Sequence, residues 1–117
     1  GASAVATVVS VSGMVEKEFY FAGFLPKKKG RQSELKYLAS IKVPIIIYES
    51  AFRVAKTLND IKEHFGRDTE VFIAREMTKM FEEYWGGDIN EVIADLGNHK
   101  LKGEFVIISK RVNNHIK

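Results

Sequence analysis

The sequence predicts an α/β fold in which helices flank a mixed β-sheet. Short runs of β-branched and aromatic residues recur along the 117 residues, and stretches with helical periodicity separate them. The composition, with 45% hydrophobic and 28% charged residues, is ordinary for a chain that buries a hydrophobic core. The length suits one compact domain, or half of a larger protein.

The first half of the chain contains four predicted elements. Segment 2–12 is rich in small apolar residues and fits either a helix or a strand. An aromatic strand is predicted over 19–24, and a proline ends it. A helix over 33–41 is expected to begin at Ser33, because serine is a favoured N-cap. The continuously apolar run 43–48 predicts a strand that is covered on both faces.

The second half contains the clearest helical pattern, in which apolar residues recur at steps of three and four. They are Ala51, Val54, Leu58, Ile61 and Phe65. An interior strand is predicted over 69–74, a helix with a capping box over 88–97, and a last strand over 104–109. Segment 77–85 is ambiguous. Its apolar residues have helical spacing, yet 81–85 also fits a short aromatic strand before a Gly-Gly turn.

Several classes of function find no support in the sequence. There is no cysteine, so disulfides and thiolate chemistry are excluded. The three histidines lack metal-ligand spacing, and no metal is expected. Phosphate-binding glycine loops, dinucleotide fingerprints and nucleophile motifs are missing, so no catalytic residue is assigned. Because no apolar run is long enough to span a bilayer and no signal-peptide pattern occurs, we expect a cytoplasmic location without membrane contact.

A basic loop follows the predicted aromatic strand. Four cations stand within five residues, at Lys27, Lys28, Lys29 and Arg31, although the net charge of the chain is only +3. Such a run is either a solvated loop or a phosphate-binding loop, since phosphate binding releases counterions. The residues alone leave both interpretations open.

Polar residues also follow two predicted strands, at 48–50 and at 74–76. In open α/β sheets, ligands bind at the carboxyl ends of strands, where loops present polar groups. If these two ends and the basic loop meet at one edge of the sheet, they form a single site. If they do not meet, each strand simply ends in solvent.

Five segments together resemble one known family. In chain order they are "GASAVATVVSVSG", "FYFAGFLPKKKG", "IIIYESAFR", "AREMTKMFEEYWGG" and "KGEFVIIS". Their order and spacing resemble those of the ribosomal small-subunit RNA methyltransferase I family, within the tetrapyrrole (corrin/porphyrin) methylase superfamily. The resemblance is to the second, carboxy-terminal domain of that two-domain fold. It implies an interdomain segment with a helix over 1–16, the carboxy-terminal methylase domain over 17–110 and a frayed tail over 111–117.

The resemblance implies an enzyme that binds S-adenosylmethionine in a cleft between two α/β domains. Its members form homodimers and methylate the 2′-hydroxyl of a cytidine in small-subunit rRNA. The amino-terminal methylase domain is missing here, so we expect the chain to be a fragment that is inactive by itself. Two alternatives stay open: a domain of a tetrapyrrole C-methyltransferase, and a non-catalytic module for RNA binding or dimerisation.

The resemblance also implies roles for individual residues. Cofactor-binding candidates are Gly1, Ala2, Ser3, Ala4, Tyr48, Ala74, Glu104 and Phe105. Candidates for contact with RNA or substrate are Lys27, Lys28, Lys29, Arg31, Arg53, Arg75, Glu76 and Lys79, and the last four could instead form an ion-pair network. The resemblance favours a strand over 81–85. One departure matters: the family commonly reads Tyr-Glu-Ser-Pro-His-Arg, where this chain has Ala51 and Phe52 in place of Pro-His. The proton acceptor therefore stays unassigned.

Overall fold

A computed structural model describes residues 2–112 of the chain, with side chains described from Ala4 onward. The helices and strands are, in chain order, α1 (Ala2–Ser12), β1 (Tyr20–Phe24), α2 (Arg31–Ala39), β2 (Ile45–Ser50), α3 (Val54–Phe65), β3 (Thr69–Met77), β4 (Met80–Asp88), α4 (Ile89–Asp95), a 3₁₀ turn (Leu96–Asn98) and β5 (Glu104–Arg111). The segment 2–12, which the residues left open, is a helix.

The five strands form one mixed sheet in the order β1-β2-β5-β3-β4. The β1 and β2 strands are parallel, whereas the other neighbouring pairs are antiparallel. The prediction of an α/β fold with a mixed sheet and flanking helices is therefore confirmed.

The two faces of the sheet are covered unequally. Alternate residues such as Ile47, Ile73 and Ile107 pack beneath α2, α3 and α4, and we call this side the three-helix face. Their neighbours Ile46 and Ile108 lie on the opposite side, which packs against α1. We call it the α1 face. Because side chains alternate along a strand, the face on which a residue lies decides which site it can join.

The ambiguous segment 77–85 is the turn and second strand of a β-hairpin. Thr78 and Lys79 both have left-handed backbone angles, with φ of 47° and 69°, which is typical of a tight two-residue hairpin turn. A bulge then adds a residue to β4 opposite Arg75 and Glu76. The strand interpretation is confirmed, and the strand extends beyond the predicted 81–85.

The bulge also explains the misleading helical spacing. Phe81 and Tyr84 are three positions apart, yet their rings lie 5.7 Å from each other. In a regular strand, residues three apart point to opposite faces. The extra residue of the bulge places both rings on the same face of β4. Apolar residues three positions apart, a spacing that usually indicates a helix, therefore occur here in a strand.

One predicted helix start, that of α2, was wrong. Gly30, with a φ of 84°, is the N-cap of α2, whereas Ser33 lies inside the first turn and donates from Oγ to the Gly30 carbonyl at 3.1 Å. The α3 helix begins at Val54, after a turn over 51–53. The predicted cap at Asp88 is confirmed, because its side chain accepts from the backbone N–H of Asn90 at 2.8 Å.

Candidate functional site

The strand ends meet at one edge of the sheet. Phe24 at the end of β1 pairs with Tyr48 of β2, and Ser50 at the end of β2 pairs with Glu104 at the start of β5. Glu104 in turn pairs with Glu76 near the end of β3. We call this the carboxyl edge. The loops that leave it are 25–30, 51–53, 78–79 and 99–103, so the predicted single rim of strand ends is present.

A recess of about 110 Å³ opens at the carboxyl edge. It is lined by Ala4, Phe24, Tyr48, Glu76, Glu104, Phe105 and Val106. The ring of Phe105 is 1% exposed and packs against Trp85 on the three-helix face, so Phe105 borders the recess without placing its ring in it. Four of these, Ala4, Tyr48, Glu104 and Phe105, are among the residues predicted to bind cofactor. The structure thus brings residues from α1, β1, β2, β3 and β5 to one wall.

The electrostatics of the recess are negative. Glu76 and Glu104 face each other across neighbouring strands, an arrangement in which like charges repel. Burial and, next, the negative charge of Glu76 raise the pKa of the Tyr48 hydroxyl above its ordinary value. Tyr48 therefore stays a neutral hydrogen-bond donor, held edge-on by the rings of Phe21 and Phe24 at 5.3 and 5.4 Å. A cation, or hydroxyl groups that donate to the carboxylates, would relieve the repulsion.

One predicted cofactor residue does not reach the recess. The strand was expected to end at Ala74, but β3 continues to Met77, which leaves Ala74 inside the sheet. Its side chain is 0% exposed and packs beside Ile46 and Val106. The structure therefore contradicts a ligand contact by the Ala74 side chain. Gly1 lies outside the described residues, and the side chains of Ala2 and Ser3 do as well.

Gly103 fixes how closely β5 approaches β3 at this edge. Its φ is 80°, in the left-handed region, and a Cβ added there would clash with the carbonyl oxygen of Glu76. Only glycine fits both the backbone angle and the space. This close approach sets the position of Glu104 relative to Glu76.

The basic loop divides into an exposed part and a buried anchor. Lys27, Lys28 and Lys29 are exposed, as a phosphate-binding role requires. Arg31 is only 3% exposed. Its guanidinium donates to Asp60 Oδ2 at 2.8 and 3.0 Å and to the carbonyl of Pro26 at 2.9 Å. The expected phosphate contact by Arg31 is therefore wrong, because its donors are already used inside the fold.

The anchor continues to the turn after β2. Arg31 Nη2 also donates to Thr57 Oγ1 at 2.9 Å, and that hydroxyl donates to Glu49 Oε2 at 2.5 Å. Glu49, 2% exposed, further accepts from the backbone N–H of Ser50 at 2.8 Å, and its Oε1 lies 3.4 Å from Arg53 Nε. We call Arg31, Asp60, Thr57 and Glu49 the buried polar network. It links the basic loop to the turn over 51–53.

Sequence reasoning missed this network. Asp60 and Thr57 occupy the inward side of the helical pattern that also buries Leu58 and Ile61. Polar residues on an apolar helix face need hydrogen-bonding partners inside the fold. The positions of Asp60 and Thr57 in the sequence could therefore have predicted a buried polar network. Their partner Arg31 could not be identified without the fold, since it lies 29 residues from Asp60 in the chain.

The other predicted polar residues separate onto different faces. Arg75 is buried on the three-helix face, with its Nε 3.5 Å from Glu83 Oε1. Its neighbour Glu76 lines the recess on the α1 face. Arg75 therefore does not share a surface with Glu76, which corrects the expectation that both face one cleft. Arg53 is partly exposed, and Lys79 is exposed in the hairpin turn.

A second polar cluster surrounds His99 on the three-helix face. Its Nδ1 lies 2.7 Å from Glu83 Oε2, and its Nε2 lies 2.9 Å from Asp95 Oδ2. The ring stacks on Trp85 with a centroid separation of 4.0 Å. Burial by itself would lower the pKa of His99, but the hydrogen bonds and charges of Glu83 and Asp95 outweigh it and raise that pKa. An imidazolium, which donates from both nitrogens, satisfies both carboxylates.

Two negative findings apply to residues 2–112. Within this range, no cluster of three or more histidine, aspartate or glutamate side chains is arranged to hold a metal ion. None of the helices described there combines the length and apolarity that crossing a bilayer requires.

Comparisons with known proteins identify relatives over most of the chain. It is 43% identical over 108 residues to ribosomal RNA small subunit methyltransferase I of Thermotoga maritima, covering 92% of this chain and 48% of that protein. The protein of the same name from Bacillus subtilis is 38% identical over 115 residues, covering 97% of this chain and 39% of its own length. The chain belongs to this family. It spans between about two fifths and half of the length of these relatives, and no family model matches it.

Solved structures support the fold. The methyltransferase CobJ covers 97% of this chain with a TM-score of 0.62 at 11% identity, and the chain spans 50% of it. The cobalt precorrin-4 methyltransferase CbiF covers 90% of the chain with a TM-score of 0.59 at 14% identity, and the chain spans 48% of it. At these identities, the similarity establishes a shared architecture.

Replacing Asp60 should destabilise the fold strongly. Asp60→Ala leaves the buried Arg31 guanidinium without its carboxylate, and we expect a loss of about 3–5 kcal/mol in the free energy of unfolding. Urea denaturation of the 117-residue chain measures this. The control is Lys56→Ala, which removes an exposed cation 3.8 Å from the same carboxylate and should change stability by less than about 1 kcal/mol. Equal effects of the two variants would contradict the importance of the network.

Replacing Gly103 should strain the carboxyl edge. Gly103→Ala requires a left-handed angle for alanine and a clash with the Glu76 carbonyl, so we expect a loss of about 1–3 kcal/mol in unfolding free energy. Gly97→Ala is the matched control, because a Cβ there meets nothing within 4 Å and the backbone angle is ordinary. Thermal unfolding of both variants tests this, and a Gly103→Ala chain as stable as Gly97→Ala would contradict the close approach.

The His99 cluster should make stability depend on pH. Because the folded-state pKa of His99 is raised, its contribution is complete below the unfolded value of about 6.5 and is lost as pH rises through the folded pKa. We therefore expect the melting temperature of the parent chain to exceed that of His99→Gln by more at about pH 6 than at about pH 8.5, with the difference on the order of a few degrees. Circular dichroism melts measure it. A difference independent of pH would show that the pKa of His99 is the same in the folded and unfolded states, which would contradict a raised folded-state pKa.

Proposed function

We propose that this chain is the carboxy-terminal half of an S-adenosylmethionine-dependent methyltransferase that modifies the 2′-hydroxyl of a cytidine in small-subunit rRNA. The observation that carries the proposal is the 43% identity, over 92% of the chain, to a protein named ribosomal RNA small subunit methyltransferase I. An amino-terminal methylase domain would supply the other wall of the cleft, and the whole enzyme would act as a homodimer.

The recess at the carboxyl edge fits part of S-adenosylmethionine. Ala4 leaves room for a flat ring, and the rings of Phe24 and Tyr48 border it with apolar surface. The carboxylates of Glu76 and Glu104 can accept hydrogen bonds from ribose hydroxyls. Their combined negative charge also favours a cationic ligand, and the sulfonium of this cofactor carries a positive charge. When bound, the cofactor supplies the methyl group that is transferred.

The residues of this chain would contribute mainly binding and orientation. Tyr48, kept neutral by its raised pKa, can donate a hydrogen bond at the wall of the recess. Holding a hydroxyl nucleophile in line with a methyl group can supply much of a rate enhancement without a strong base. No side chain among those described is assigned as the proton acceptor.

The exposed lysines of the basic loop would hold the RNA backbone. Lys27, Lys28 and Lys29 leave the same edge of the sheet that carries the recess, because β1 and β2 are parallel and both end there. The buried polar network keeps this loop beside the turn over 51–53. The lysines can therefore position phosphates near the cofactor wall without reading the base sequence. Arg53 and Lys79 lie on loops at the same edge and would extend this contact.

The decisive experiment is methyl transfer by the complete protein that contains this segment. Radiolabelled S-adenosylmethionine is offered with undermethylated small ribosomal subunits and, separately, with a porphyrin precursor. We expect label in a ribose 2′-O-methyl cytidine of the rRNA. Label in the tetrapyrrole would support the alternative suggested by the fold, and RNA binding without any methyl transfer would support a non-catalytic module. The isolated 117-residue chain should transfer little or no label.

Charge reversal in the basic loop should weaken RNA binding. In the complete protein, Lys27→Glu, Lys28→Glu and Lys29→Glu together should lower affinity for small-subunit rRNA. They should also reduce the salt dependence of binding, by about 0.7 in log–log slope for each phosphate that is no longer neutralised. The matched control reverses Lys17, Lys42 and Lys110, which lie around one depression at the opposite edge of the sheet. Filter binding across salt concentrations measures both, and equal reductions in affinity would contradict a specific role for the loop.

A further inference from the structure

Phe52 is exposed to an unusual degree for an aromatic residue. Its side chain is 96% exposed, more than any other large hydrophobic residue among those described. It therefore adds almost nothing to the core, and a fully solvated ring is unfavourable by itself. A single exposed aromatic residue is common on protein surfaces, so the exposure of Phe52 carries weight only together with the cavity and the cations that lie beside it.

The backbone around Phe52 is held rigidly. The residue before the turn, Ser50, donates its N–H to the buried carboxylate of Glu49, and its carbonyl accepts from the N–H of Arg53 at 3.1 Å. The carbonyl of Arg53 in turn accepts from the N–H of Thr57 at 2.8 Å. The ring is thus presented from a fixed turn at the carboxyl edge.

A cavity of about 530 Å³ lies beside the ring. Such a volume falls within the roughly 300–1,000 Å³ of small-ligand sites. Apolar groups of Phe52, Met77 and Leu101 contribute to its lining, together with Lys102 and Glu104. Glu104 also lines the neighbouring recess, so the two depressions adjoin.

The chemistry of this cavity matches an unpaired nucleobase. An aromatic face can stack on any base, and stacking on aromatic side chains is the usual way in which proteins bind single-stranded RNA. A carboxylate such as that of Glu104 can accept from an exocyclic amino group. Cations on the surrounding loops are available for the flanking phosphates. They are Lys27, Lys28, Lys29, Lys79, Lys100 and Lys102, all of which are exposed.

We propose that Phe52 is the stacking platform for an unpaired base of the RNA substrate, next to the nucleotide that receives the methyl group. This inference rests on the proposed function and identifies the part of the RNA that the site recognises: a single-stranded segment with a splayed base. A base stacked on Phe52 would fix which nucleotide of the RNA lies at the recess. The lysines would fix only the course of the RNA backbone.

The test measures binding of the complete protein to a short single-stranded RNA oligonucleotide and to the duplex that it forms with its complement. Phe52→Ala should weaken binding of the single strand by roughly 5- to 150-fold and leave duplex binding nearly unchanged. Phe52→Trp, which keeps an aromatic face, should retain the affinity. Tyr37→Ala is the matched control, because Tyr37 is also an exposed aromatic residue, at 51%, but lies on α2.

The outcomes separate this proposal from the broader one. If the triple charge reversal in the basic loop weakens binding and Phe52→Ala does not, the stacking proposal is wrong and the RNA function stands. If neither variant weakens binding, the proposed RNA contact by the basic loop is wrong as well, and methyl transfer to rRNA then decides whether the proposed function stands. If Phe52→Ala changes the oligomeric state in sedimentation and leaves RNA affinity unchanged, Phe52 is a protein contact and the proposal is overturned. Phe52→Ala should melt within about 1 °C of the parent complete protein, and a larger loss would show that another domain covers the ring and would overturn the proposal.

Discussion

The carboxyl edge depends on the pairing of one buried arginine with one buried aspartate. Arg31 sits beneath the basic loop, and Asp60 of α3 neutralises it from within the fold. An unpaired guanidinium could not remain at that depth, so loop, helix and strand end must come together for any one of them to be stable. Through Thr57 and Glu49, the same pairing reaches the turn that carries Phe52. The lysines and the aromatic ring therefore share one support.

Several helices and strands could be predicted from the sequence, and α3 and β2 show why. The α3 helix buries one continuous apolar stripe, and such a stripe has a period that strands do not share. The β2 strand is apolar on both faces because helices cover both sides of it. In β4, by contrast, a bulge changed the spacing of Phe81 and Tyr84, and periodicity pointed to the wrong element. The family resemblance corrected what the local pattern could not.

The residues of the site were harder to predict from the sequence than the fold. Which residues belong to the site depends on the face of the sheet to which each side chain points. Ala74 and Arg75 belong to a motif that resembles a cofactor and substrate edge, yet both side chains are buried, on opposite faces of the sheet. A continuation of β3 by three residues was enough to move Ala74 away from the edge. Ala4, Tyr48 and Glu104 do converge, although they come from the beginning, the middle and the end of the chain. Only the strand order brings them to one wall.

The stack of Trp85 on His99 gives this chain an internal optical reporter. Trp85 is the single tryptophan in the sequence, so all indole emission comes from a ring in contact with a titrating imidazole. Protonated imidazole quenches indole fluorescence, and the intensity should therefore follow the charge of His99 directly. Because β4 carries Trp85 at the far side of the sheet from β1, the signal can be recorded without a label near the carboxyl edge.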